Sequence, residues 1–115
     1  MTPALWEKLK TRAQAIVEKT LAELPPEILA EAQKVPILFE RSCQEDPEIF
    51  GTYGHFTLHE IGEANGPITL YLAAIDDYCL EEGGDFPTEV RLTYLHELGH
   101  HLGWDEGELE ARGLG

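Results

Sequence analysis

Along the first two dozen residues the apolar positions Leu5, Trp6, Leu9, Ala13, Ile16, Val17, Leu21 and Leu24 recur at intervals of one, three and four. Lys, Arg, Glu and Gln fill the gaps, which is the stripe of an amphipathic α-helix turned towards a core. Thr2-Pro3 ahead of it reads as an N-cap followed by proline at the first helical position, and Pro25-Pro26 ends it. A second, short helix is expected from Pro26 to Gln33, with Ile28, Leu29 and Ala32 turned inward. The period then changes. Val35 to Glu40 (VPILFE) is branched and aromatic and predicts a strand, and Pro36 makes it an edge strand or delays its start. Ser42 to Pro47 is polar and predicts a loop, and Gly51 and Gly54 suggest a tight backbone path around Thr52-Tyr53. A strand-like GHFTLHEI follows at 54–61, then a turn at Asn65-Gly66-Pro67. Ile68 to Ala73 (ITLYLA) is the strongest strand signal in the chain, and the two segments are expected to pair as a hairpin.

The last third returns to helical spacing. A short helix is expected over Ala74 to Glu82, an acidic loop over Glu81 to Asp85, and a longer helix from Pro87 to Leu102 capped by Asp85 or Thr88. At about 100° per residue, Leu92, Leu95, Leu98, Gly99 and Leu102 share one arc, and His96, Glu97 and His100 fall just beyond its edge. Glu108 to Arg112 suggests a last helical turn. With no repeat and no low-complexity tract, the 115 residues predict a single α+β domain, 1–115, around one small core.

Charge narrows the range of partners. There are 22 acidic residues against 8 basic ones, a net charge of −14, so nothing resembles a phosphate-neutralising patch. Nucleic acid and anionic membrane surfaces are not expected partners. No apolar run approaches the ~20 residues of a membrane span, and the N-terminal stretch lacks the layout of a signal peptide. The expected compartment is the cytoplasm. There the two cysteines, Cys43 and Cys79, are expected to be free and partly buried. They are too far apart in sequence to form a zinc finger with His96 and His100.

The candidate chemistry lies in His96 to Glu106, HELGHHLGWDE. His96 and His100 are four apart, one helical turn, so two imidazoles can take adjacent corners of one metal tetrahedron. Glu97 stands beside them, able to reach a water on the metal's open position without being a ligand. Gly103 breaks the helix, and Asp105 and Glu106 follow where a third ligand could swing back. This is the HExxH pattern of zinc hydrolases, with one Zn²⁺ per chain. The metal lowers the pKa of a water to about 7, and Glu97 takes its proton as general base. Tyr94, His55 and His59 are candidates for steadying the developing oxyanion. His101 points about 100° away from His100 and is expected to support the site rather than ligate.

These residues carry a resemblance. The chain resembles the small bacterial zincin-like metallopeptidases through the N-terminal helix closing at ELPPEIL, the VPILFE strand, the Gly51-Thr52-Tyr53 loop, the ITLYL strand and, most specifically, YLHELGHHLGWDEGELEARGLG. The resemblance implies a minimal zincin-like fold, a small mixed sheet packed against the N-terminal helix and the HExxH helix. It implies zinc ligation by His96 and His100, Glu97 as base, and a peptide or protein substrate. The family's third ligand is commonly an aspartate at the position of Glu106, so Glu106 is the expected third ligand and Asp105 its rival. A distant glutamate ligand would lie ~18 or more residues past His100, beyond the chain given. Met1 is the only methionine, so the methionine turn of the metzincins is absent. GWDE also resembles the GYDH of bacterial rRNA-maturation endoribonucleases, but Glu97 replaces a glycine there and the charge opposes RNA. A non-catalytic metal-binding or adaptor protein is the third reading. Ile68 to Ala73 is expected as an edge strand beside the motif helix, open to pairing with an extended peptide.

Overall fold

The computed structural model describes residues 1–54, 67–104 and 106–111, the side chains at 106 and 109 excepted. The elements in chain order are α1 (Pro3–Ala22), α2 (Pro26–Ala32), β1 (Ile37–Glu40), β2 (Gly51–Tyr53), β3 (Ile68–Tyr71), α3 (Leu72–Glu82), α4 (Phe86–His101) and α5 (Glu106–Ala111). The architecture is α+β. The strand expected over 54–61 lies, past Gly54, outside the described residues, as do its hairpin pairing and most of the turn at 65–67.

Helix α1 begins where its sequence says it should. The Leu5 amide donates to Thr2 Oγ1 at 3.1 Å, with proline in the first turn. The apolar stripe buries Leu9, Ala13 and Val17. Strand β1 starts after Pro36 and lies at an edge of the sheet formed by the described residues, so both expected effects of the proline appear together.

The sheet order is β1-β3-β2. β1 runs parallel to β3 with Ile37 opposite Ile68, and β2 runs antiparallel with Thr52 opposite Thr69. The structure corrects two expectations here. The Gly51–Tyr53 segment is itself a strand, and its ladder is extended by Tyr71 N donating to Phe50 O at 2.8 Å and Gly54 N donating to Pro67 O at 2.9 Å. ITLYLA does not form an edge: its first four residues are the central strand β3, and Leu72 and Ala73 already begin α3. The physical reason is in the pattern, since every residue of β3 is buried, which a strand flanked on both sides and covered on both faces requires. The described edge facing the motif helix is β2.

Helix α4 packs against α1, α3, β2 and β3. Val90, Tyr94, Leu95 and Leu98 are at most 1 % exposed and form the centre of the core. The expected arc was rotated: Leu92 is 37 % exposed, while Val90 and Tyr94 take the inward positions. Because helices and sheet both press on α4, more than half of its circumference is covered. At about 100° per residue the strip left open carries Leu92, His96 and His100. Among the described residues no helix is long and apolar enough to cross a membrane.

Candidate metal centre

The site grows out of how α4 starts and stops. Asp85 caps its N-terminus, with Oδ2 accepting from the Thr88 amide at 3.1 Å and the Thr88 hydroxyl at 2.6 Å. Those two bonds hold the Asp85 carboxyl below its ordinary range. At the other end Gly103 takes φ 78°. Its amide donates to His100 O at 3.1 Å and the Trp104 amide donates to Gly99 O at 2.9 Å, the paired bonds of a Schellman stop. His96 and His100 are therefore held on a helix fixed at both ends, and the chain is turned sharply just beyond the second of them.

His96, Glu97 and His100 each offer one ligand atom, and these atoms lie within 4.8 Å of one another. The two imidazoles meet edge to face with centroids 4.8 Å apart. Two imidazoles one helical turn apart are donors suited to zinc, with the Glu97 carboxylate beside them, so the residues present fit the ion.

Glu97 is only 9 % exposed and lines a cleft of about 450 Å³ together with His96, Thr93, Leu92, Phe50 and Gly51. Its stem is pressed by β2. A β-carbon built on Gly51 would come within 3.3 Å of Glu97 Cγ, 3.3 Å of Thr69 O and 2.6 Å of Thr93 Cγ2. Only a glycine lets the β2 backbone lie this close to the motif helix. The sequence marks Gly51 as a turn former; its role as the contact point between strand and helix is visible only in three dimensions. Ile49, Phe50 and Leu92, which shape the cleft, give no chemical signal in the sequence at all.

The remaining expected residues fall into place as follows. His101 supports: its Nδ1 and the Tyr53 hydroxyl share a 2.7 Å hydrogen bond, and its Nε2 lies 3.8 Å from Glu31 Oε2. This ties β2, α4 and α2 together behind the site. Tyr94 is fully buried in the core and does not line the cleft, which removes it as an oxyanion partner. Burial pushes its hydroxyl up to about 12. Glu106 is the first residue of α5, three past the helix-stopping Gly103, and its side chain lies outside the described atoms. Asp105, His55 and His59 lie outside the described residues. Cys43 and Cys79 are free and buried, with the Cys43 thiol donating to Glu45 Oε2 at 3.2 Å.

The model of the zincin-like metallopeptidases matches residues 16–115, and the chain belongs to that family. Zincins bind zinc, and His96, Glu97 and His100 form the group suited to it. No curated protein matches the chain.

Proposed function

We propose that this protein is a zinc-dependent peptidase in which His96 and His100 hold the metal and Glu97 is the general base. The observation that carries this reading is the convergence of the three side chains, two of which, His96 and Glu97, line an open cleft. Zinc held there supplies a Lewis acid that polarises a peptide carbonyl and acidifies a water. The Glu97 carboxylate, whose stem packs beside β2 at Gly51, accepts the proton of the attacking water and passes it to the departing amine. Glu106 completes the ligand set, with Asp105 as the competing donor.

The test combines metal content with turnover of unstructured peptides. Wild type is expected to hold about one zinc per chain. Glu97→Gln keeps the metal and loses on the order of 10²–10⁴-fold in kcat, and His96→Ala loses the metal. A Glu97→Gln protein as active as wild type would sink the mechanism. Titrating zinc into Glu106→Gln and Asp105→Asn separates the rival ligands, since losing a true ligand weakens binding far more than losing its neighbour.

A further inference from the structure

Two cavities adjoin the candidate site. One, of about 450 Å³, has Ile49, Phe50 and Leu92 as apolar walls and is also lined by His96 and Glu97. The other, of about 370 Å³, is lined by Ala74, Asp77, Tyr78, Glu81 and Glu82. Glu48 and Phe50 belong to both, so the two lie side by side as a two-part groove with Phe50 as the wall between the parts. The Phe50 and Tyr78 rings pack edge to face at 5.2 Å. Leu92, in the first cavity, and Tyr78, in the second, are 37 % and 39 % exposed. Glu48, Asp77, Glu81 and Glu82 rim the groove, and among the described residues no lysine or arginine lines it.

We propose that this groove selects peptides that combine a bulky apolar side chain with a neighbouring lysine or arginine. The apolar side chain is seated against Ile49, Phe50 and Leu92, beside Glu97. The basic side chain lays its methylene stem along Phe50 and Tyr78 and brings its charge to Asp77, Glu81 and Glu82. The apolar half alone would suit many occupants, a second copy of the chain among them. The acidic half decides: a copy carrying −14 is repelled, and a cationic segment is attracted. The inference rests on the peptidase reading of the same site, which makes the occupant an extended peptide, and it adds what that peptide must carry.

The experiment measures binding and cleavage separately. Fluorescein-labelled hexapeptides of alanine with one leucine, and with lysine, glutamate or alanine on either side of it, are titrated into the zinc-loaded Glu97→Gln protein. The lysine peptides are expected to bind at least ~10-fold tighter than the glutamate peptides at low salt, with the gap narrowing at 0.5 M NaCl. Replacing the leucine by serine, or Leu92 by alanine, weakens binding several-fold. The variant Asp77→Asn/Glu81→Gln/Glu82→Gln, altered only at exposed positions, loses most of the preference for lysine over glutamate peptides. Equal affinity for all the peptides, no measurable binding, or a triple variant that discriminates as strongly as its parent overturns the proposal. Cleavage of the same peptides by wild type keeps the two readings apart. Turnover without preference sinks the groove's selectivity and leaves the peptidase standing. Selective binding without turnover does the reverse.

Discussion

Two residues near the site are explained by what surrounds them rather than by chemistry of their own. Tyr94 carries the one buried side-chain polar atom that has no hydrogen-bond partner among the described residues. A hydroxyl taken out of water without compensation is destabilising, so the ring stays for its packing, not for its oxygen. Tyr94→Phe is therefore expected to leave stability unchanged or raise it by up to about 1–2 kcal/mol. Urea unfolding of the metal-free protein reads this, and a loss of 1 kcal/mol or more would reveal a partner for the hydroxyl. Gly51 is the opposite case, where nothing can be added. Gly51→Ala drives a methyl to 2.6 Å from Thr93 Cγ2 and is expected to cost about 1–3 kcal/mol through overpacking. Adding Thr93→Ser removes the clashing methyl and should restore part of the loss. The contacts to Glu97 Cγ and Thr69 O stay tight, so full recovery in the double variant would contradict the geometry.

At the scale of the elements, α4 depends on its two ends. Gly103 at φ 78° allows the Schellman bonds that turn the chain into α5. An alanine there pays the left-handed penalty of about 1–2 kcal/mol, and asparagine less; thermal unfolding of the two variants ranks them. At the start of the helix the Asp85 carboxyl is held below its ordinary value by Thr88. A carboxylate with a lowered folded pKa stabilises above its unfolded pKa, near 3.8, and loses that contribution as pH falls below it. Asp85→Ala should lower Tm at neutral pH and flatten the acid limb below about pH 4. An unchanged acid limb would show that the cap is not what titrates. These ends were legible in the sequence because caps and stops are local: Thr2-Pro3, Asp85 and Gly103 act on backbone groups within a turn of themselves. The same holds for His96, Glu97 and His100, whose spacing alone sets them on one helix. The sheet was less legible. A run such as ITLYLA is equally apolar whether it lies at an edge or in the centre, and its place depends on β1 and β2, which are distant in sequence. The orientation of α4 was missed for a related reason. Leu92 has the right residue type for the core, but the strip it occupies is the one the sheet and helices leave open.

For the molecule as a whole, charge is the property that geometry does least to relieve. Against a net charge of −14 stand surface ion pairs such as Lys10–Glu7 at 2.7 Å and Lys34–Glu31 at 3.2 Å, each joining residues three apart in the chain. Pairs of this kind contribute only about 0.3–0.5 kcal/mol each. Repulsion among the excess carboxylates acts across the whole molecule, whose radius of gyration is 14.0 Å. At 10 mM salt the screening length is ~30 Å and exceeds that radius; at 0.15 M it is ~8 Å and falls well below it. Added salt therefore weakens the repulsion over long distances more than it weakens ion pairs formed at contact. The chelated, metal-free protein is expected to gain on the order of 5 °C in Tm between 10 and 150 mM NaCl, corresponding to roughly 1 kcal/mol of relieved repulsion. Calorimetry with EDTA present removes any change in zinc affinity from the measurement. A Tm that falls with salt would mean that the local pairs outweigh the global charge. The electrostatic argument for a cationic peptide in the groove would then have to stand on Glu48, Asp77, Glu81 and Glu82 alone.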